Sequence, residues 1–305
     1  MRVVTEAIQH HGRSNSPRRG PNRELTGVLL ELTNPRARLS RTETRGRPFS
    51  CLGELCWYLA ASNDVEFIAY YISRYREEAE DGVIFGAYGP RLFGHALSQF
   101  TNVTQLLRDN NATRRAVIQL FAGTDIAEDH HQVPCTCTLQ FLLRDGQLHL
   151  IANMRSNDVV LGLPHDIFCF TMLQEIMARA LSVEVGGYKH AVGSLHLYDE
   201  NQVEVHQFLE EGLQSTEEPM PEMPIGSPTT AIHSLLKAER EIRTTGNLQE
   251  PIDTDLAPYW MDLVRLLQVY RYVRDKKAAA IDLLRSQMAS AVYRPFITKQ
   301  LSRLA

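Results

Sequence analysis

Apolar side chains at Leu52, Leu55 and Leu59, and again at Phe67, Tyr70 and Tyr71, recur at three- and four-residue steps, the spacing that lines one face of a helix. Ser62-Asn63-Asp64 interrupts the run, so two short, mostly buried helices are predicted over 52–72. The pattern returns over 96–109, stops at Asn110-Asn111, and gives way to a strand over 116–121. Thr138–Leu143 and Leu148–Met154 flank Arg144-Asp145-Gly146-Gln147 and predict a β-hairpin with a short glycine-bearing loop. From Pro164 to Leu181 a helical period runs through Ile167, Phe170, Leu173 and Met177, opened by a proline and an acid suited to a first turn. Residues 183–185 and 190–198 read as further strands, as does 26–32 behind a loop-rich beginning with a turn at Pro17–Pro21. Strands and helices in mixed order predict an α+β domain on one large mixed sheet with flanking helices, not a strict βαβ repeat.

Past Gln207 the pattern changes. Pro219, Pro221, Pro224 and Pro228 cluster among Ser, Thr and Glu, and helical periodicity resumes over 231–243 and 258–301, with Trp260, Leu263, Leu267 and Tyr270 on one face. The expected organisation is a catalytic domain over 1–205, a Pro-rich linker or loop over 206–230, and a helical C-terminal extension over 231–305 packing on the first. Lys+Arg 32 against Asp+Glu 36 leaves a net charge of −4 over 305 residues. No overall positive field is available for nucleic acid or an anionic membrane, so an anionic ligand needs local arginines. Arg265, Arg271, Arg274, Lys276 and Lys277 in the tail read as a solvated helix face. Without an apolar run of about 18–20 residues or a signal-peptide core, a cytoplasmic protein is expected. The five cysteines are an odd number, which argues for reduced thiols.

One of those thiols stands out. Pro134-Cys135-Thr136 opens a strand after a polar loop, where a ligand can approach, and Arg155 at the end of the next hairpin strand is placed to lower a thiol pKa across the sheet. Cys135 also reads as a small buried residue. Arg155-Ser156-Asn157-Asp158 gathers an arginine, a hydroxyl and a carboxylate at a strand end, a set suited to a phosphate and a polar ring, and equally to a solvated loop. His130, His131, Cys135 and Cys137 include the ligand types of zinc. Adjacent histidines point oppositely in an extended chain and no CxxC pair occurs, so no metal is expected.

Five blocks then fall in one order: Arg18-Arg19-Gly20, Glu54 to Leu59, Arg114-Arg115, Pro134-Cys135, and Arg155-Ser156-Asn157-Asp158 through Gly162-Leu163-Pro164 to His196-Leu197-Tyr198. As a set they resemble the thymidylate synthase family over roughly residues 12–200, closest to its deoxycytidylate/cytidylate 5-hydroxymethylase branch. The tail beyond about 205 departs from the family's usual ending. The resemblance implies a homodimer holding a pyrimidine nucleoside monophosphate, with 5,10-methylenetetrahydrofolate as cosubstrate. It implies that Cys135 attacks C6 of the base. Arg18, Arg155 and Ser156 bind the phosphate with Arg114 and Arg115 of the second subunit, while His196 and Tyr198 hold the sugar 3′-hydroxyl. Glu54 and Tyr88 organise water for proton transfer, and Asp158 faces the pterin.

Two departures bear on the product. Asp166 stands where thymidylate synthases carry Asn, whose amide donates to O4 and accepts from N3–H of uracil. Cytosine reverses that pattern, and a carboxylate can accept from N4–H₂ and stabilise a proton on N3. Asp166 also reads as a plain residue of a helix N-terminus. Between the helix of Glu54 and the turn of Tyr88, where the family places tryptophans that shield the one-carbon intermediate, this chain has Tyr71, Tyr75 and Phe85. A wetter pocket lets water add. The expected activity is therefore 5-hydroxymethylation of CMP or dCMP, with methylation of a pyrimidine monophosphate as the alternative. A different class of reading is a nucleotide-binding protein that has lost its reaction, against which the joint presence of Cys135, Glu54 and Tyr88 argues.

Overall fold

The computed structural model describes every residue except 41, 43–45, 95–97, 212–217, 247, 249–255 and 305. The expected helix start at Ala96 and part of the expected 206–230 linker lie outside the described residues. In chain order the elements are α1 (Arg2–His11), β1 (Arg13–Asn15), β2 (Asn22–Leu32), α2 (Pro48–Leu59), α3 (Val65–Tyr71), α4 (Tyr88–Phe93), α5 (Gln99–Asp109), β3 (Val117–Gln119), β4 (Thr136–Arg144), β5 (Gln147–Asp158), α6 (Gly162–Leu181), β6 (Glu184–Tyr198), α7 (Gln202–Glu210), α8 (Thr229–Thr245), α9 (Pro258–Arg274), α10 (Ala278–Gln287) and α11 (Arg294–Ser302).

The strands form one six-stranded sheet in the order β1-β2-β6-β5-β4-β3. Only β5 and β6 run parallel, because α6 carries the chain back between them, and every other neighbouring pair is antiparallel. The α+β architecture with one mixed sheet is as the sequence predicts. α6 is buried nearly all round, with Phe168, Phe170, Met172, Leu173 and Met177 almost wholly inaccessible, which is why its apolar residues fill more than one face. α2 packs on α6 from the outer side, and α8 and α9 pack in turn on α2. The tail helices therefore back the element that carries Glu54.

Several boundaries differ from the expectations for physical reasons. The beginning, expected as a loop, contains α1, whose buried Thr5 and Ile8 turn toward the protein. The two short strands expected at 183–185 and 190–198 are one strand, β6. Gly186-Gly187, a sequence break signal, stays extended because the His149 ring occupies the space of a side chain at Gly186, and Gly187 N–H donates to His149 Nδ1 at 3.0 Å. The strand expected over 116–121 shortens to β3 at the sheet edge. Helix α7 reaches into the stretch expected as a linker. The helical pattern over 258–301 breaks after Arg274, where Lys276 turns into the left-handed region at φ 55°, and again before Pro295, which opens α11.

A buried ion pair ties the Pro-rich stretch to the core. Arg38 Nη2 lies 2.6 Å from Glu175 Oε2 with both side chains wholly inaccessible, and Glu175 Oε1 accepts from Met223 N–H at 2.9 Å. Removing one partner strands a charge in the interior. Arg38→Met should lower the unfolding free energy by about 3–5 kcal/mol in urea titration, and adding Glu175→Met should recover most of the loss. A single variant as stable as the parent would contradict this role.

Candidate active site

The parallel β5–β6 pair delivers two strand ends to one place. Register puts Asn22 opposite Tyr198, Glu24 opposite His196, Ser156 opposite Ser194 and Asp158 opposite His196. Directly paired residues share a sheet face, so Asn22, Glu24, Ser156, Asp158, Ser194, His196 and Tyr198 gather on one polar surface. That surface floors a cavity of about 1150 Å³. Cys135 sits just ahead of β4, anchored by Arg155 N–H donating to its carbonyl at 2.8 Å. A bulge between Thr136 and Thr138 follows at once, the kind of irregularity that re-aims a side chain at a strand end.

Of the residues singled out in the sequence, Cys135, Arg155, Ser156, Asp158 and Arg18 line the cavity, and so do Glu54, Tyr88, Asp166, His196 and Tyr198. Arg114 and Arg115 do not. They are exposed in the turn before β3, where the Arg114 carbonyl accepts from Gln140 Nε2. The zinc ligand types do not converge either. His130 stacks on Phe85 with ring centroids 3.4 Å apart and bonds Glu80 Oε2 at 3.0 Å, and no group of three or more metal-ligating side chains is found among the described residues.

The Arg155 guanidinium is held by the carbonyls of Pro134 and Val133 at 2.9 and 3.2 Å, which leaves Nη2 3.7 Å from Cys135 Sγ. The arginine is thus beside the thiol and lowers its pKa, as the sequence reading expects, yet burial carries the net shift the other way. Burial pushes the Cys135 thiol up to about 11, Arg155 opposes that rise and Asp166 adds to it. Desolvation outweighs one partly solvated guanidinium.

At the far end of the cavity three carboxyl groups meet. Glu54 Oε1 accepts from the Tyr75 and Tyr58 hydroxyls at 2.8 and 3.1 Å, while Oε2 is buried without a partner. Asp158 Oδ1 accepts from the N–H groups of Val160 and Leu161 at 2.7 and 3.3 Å, which fixes the turn into α6 and leaves Oδ2 buried and unpartnered. Asp166, in the first turns of α6, accepts from Asn157 Nδ2 at 2.5 Å. Burial raises the Asp166 pKa well above the carboxylate range, Glu54 and Asp158 raise it further, and only the Asn157 bond opposes them. Burial and the two neighbouring carboxyl groups thus favour the protonated form of Asp166.

Neighbouring groups are held in fixed states. The His165 ring accepts from Ser50 Oγ at 2.9 Å and donates from Nδ1 to the Leu161 carbonyl at 2.9 Å, an assignment consistent with the neutral ring that burial favours. His196 Nδ1 faces the Ser194 carbonyl at 3.3 Å, so Nε2 is the acceptor. The Tyr88 oxygen accepts from Thr136 N–H at 3.0 Å, which leaves its own proton free to donate elsewhere. Sequence reasoning missed Tyr58 and Asn157 as partners of the carboxyl groups, and Arg19, whose guanidinium lies over the Tyr198 ring at 5.3 Å. Tyr71 and Tyr75 line the cavity, and the Tyr71 hydroxyl is turned to Glu239 on α8, to which it donates at 2.9 Å.

The chain is 33% identical over 163 residues to a deoxyuridylate hydroxymethyltransferase of Pseudomonas phage M6, covering 52% of this chain and 46% of that protein. A deoxyuridylate hydroxymethyltransferase of Bacillus phage SP01 is 32% identical over 214 residues, covering 65% of this chain and 56% of the relative. One of Delftia phage PhiW-14 is 26% identical over 213 residues, covering 65% and 59%. The chain thus spans about half the length of the curated relatives it matches. The thymidylate synthase family model matches residues 4–243, beyond the roughly 12–200 that the motifs alone delimit and into α8. On that match, the chain belongs to the thymidylate synthase family.

Proposed function

We propose that this protein transfers a one-carbon unit to C5 of a cytidine monophosphate and adds water, giving the 5-hydroxymethyl nucleotide. The observation that carries the choice of base is Asp166, a buried carboxyl pushed toward its protonated form with no cation among the groups that shift its pKa, and so able to give a proton to cytosine N3, which uracil N3–H cannot take. A neutral carboxyl presents one donor and one acceptor, as cytosine does at N3 and N4–H₂ in the opposite sense. The Cys135 thiol first gives its proton to water. As the thiolate Sγ bonds to C6 the C5–C6 π electrons shift toward N3, the Asp166 proton passes to N3, and the negative charge ends on the Asp166 carboxylate, which accepts from N3–H and N4–H₂ of the neutral adduct. An asparagine has no proton to give in this way.

Phosphate recognition falls to Arg18, Arg155 and Ser156, joined by Arg114 and Arg115 of a second copy of the chain. Their exposure and their distance from the cavity of their own chain support that arrangement. His196 and Tyr198 hold the sugar 3′-hydroxyl. The cavity of about 1150 Å³ exceeds the roughly 300–1,000 Å³ of a site for one drug-sized ligand, and the unpartnered Asp158 Oδ2 is an acceptor for pterin N–H groups. These residues fit 5,10-methylenetetrahydrofolate, which supplies a methylene at the oxidation level of formaldehyde. Glu54, clamped by two phenols on one oxygen, keeps the other for a water, and the Tyr75 hydroxyl adds polarity where a hydride-transferring enzyme needs a dry wall. C5 loses its proton to water once the one-carbon unit is attached, and water adds its oxygen to the methylene on C5 and gives up a proton. The C5–C6 double bond re-forms as C6 releases the Cys135 sulfur as thiolate, and no carbon undergoes net oxidation or reduction.

A second reading is the same reaction on deoxyuridylate. It is favoured by the names of the phage relatives and by the ability of a neutral acid to donate to O4. Incubation with CMP, dCMP, UMP and dUMP separates the two. A cytidylate product heavier by CH₂O with no dihydrofolate absorbance is expected, and a methyl product with dihydrofolate would overturn hydroxymethylation. Asp166→Asn should move the preference toward uracil, and an unchanged preference would remove the reason for naming cytosine. Cys135→Ser should lose turnover and keep nucleotide binding in calorimetry.

The resting thiol is protonated near neutrality. Mass-mapped alkylation of Cys135 by iodoacetamide in the ligand-free protein should therefore climb about tenfold per pH unit from 7 to 9.5. Arg155→Ala should be slower at every pH in that range, because its guanidinium is the larger of the two, with Arg19, that hold the pKa down. A plateau below pH 9 would contradict a raised thiol pKa.

A further inference from the structure

Asn157 has no role in the reaction as described so far, yet it makes the only hydrogen bond of the Asp166 carboxyl among the described residues, Nδ2–H to Oδ2 at 2.5 Å. We propose that Asn157 is a positioning residue for base choice: by donating to Oδ2 it fixes that oxygen as the acceptor of the neutral acid and sends the proton to Oδ1. The inference rests on the cytidylate reading and deepens it.

A neutral carboxyl is nearly symmetric. Its proton can sit on either oxygen, so on its own it offers donor–acceptor or acceptor–donor to an incoming ring and fits cytosine or uracil with equal ease. An N–H that points at one oxygen breaks the symmetry, since a hydroxyl and an N–H directed at each other repel. With Oδ2 held as acceptor toward N4–H₂ and Oδ1–H toward N3, cytosine is matched. Uracil, with O4 in place of N4–H₂, meets acceptor against acceptor.

The surroundings favour this pair over a chance contact. Asn157 is 4% exposed, its own Oδ1 is buried without a partner, and it sits at the end of β5 where the chain turns into α6. Gly162 opens α6 beside it, and a Cβ there would lie 3.1 Å from Asn157 Nδ2 and 3.5 Å from Asp166 Oδ2. A side chain at Gly162 would crowd the bond. The charged groups facing Asp166 are Glu54 on α2 and Asp158 on β5, both acidic. Cys51 and Tyr58 on α2, Tyr88 on α4, Cys135, Cys169 on α6 and Tyr188 on β6 complete its titratable surroundings, each neutral at pH 7 because burial raises its pKa. Asn157 is thus the one group holding the acid's pKa down and also the one ordering its oxygens.

The test is kcat/KM for CMP, dCMP, UMP and dUMP from pH 5.5 to 9.5 in the full chain, in Asn157→Ala and in Asn157→Ser, with thermal melts to establish folding. The limb due to Asp166 is the one that Asp166→Asn abolishes. In Asn157→Ala the cytosine-to-uracil ratio should fall by about tenfold, and the Asp166 limb should move to higher pH because its only opposing influence is gone. Asn157→Ser, which keeps a shorter donor, should fall between, and it decides the matter if the alanine variant does not melt cooperatively. Equal loss on all bases with the limb unmoved would overturn the inference and leave Asn157 a structural residue. A parent enzyme that prefers uridylate would instead overturn the cytidylate reading. In that case a ratio collapsing toward one in Asn157→Ala still supports the ordering role, and an unchanged ratio sinks it.

Discussion

Three carboxyl groups share the inner end of one cavity, and no cation among the groups that shift the Asp166 pKa compensates them. Burying a carboxylate costs several kcal/mol unless it is paired, and a cluster of like charges adds to that. Each of the three is relieved differently. Glu54 takes two phenolic hydroxyls, Asp158 takes two backbone N–H groups at the start of α6, and Asp166 takes one amide and is pushed by burial toward its protonated form. The division of labour at the site follows from those three solutions.

The scaffold exists to hold that arrangement still. The parallel β5–β6 pair ends at Asp158 and Tyr198, α6 starts at once above it, and α2 lies against α6. Glu54 and Asp166 are thereby carried on two packed helices, and Asn157 and Asp158 on the strand feeding one of them. The tail helices add a second layer. Tyr71 donates to Glu239 on α8, and the Tyr270 hydroxyl of α9 donates to the Tyr70 carbonyl at 2.8 Å, so the turn of chain bearing Tyr75 is braced from outside.

Much of this was legible in the chain because motif residues lie close in sequence. Cys135 follows a proline at a strand start, and Arg155 to Asp158 and Gly162 to Asp166 are nearly contiguous, so their convergence needed only a hairpin and a turn. What stayed hidden depends on three-dimensional crowding. An arginine beside a thiol is visible in a sequence, whereas the desolvation that outweighs it is not. The Asn157–Asp166 bond forms only when α6 folds back over the end of β5, and the Tyr75–Glu54 bond only when the turn after α3 closes over α2. Gly186-Gly187 misled in the other direction, since residues that usually break a strand continue one where a histidine ring needs their space.

The most direct check of the whole account is the structure of the protein crystallised with cytidylate. The account predicts the ring with C6 at the Cys135 sulfur and its N3–N4 edge against Asp166, the exocyclic amine on the Oδ2 side that Asn157 holds. A ring turned away from the sulfur, or one presenting that edge to any other group, would contradict it.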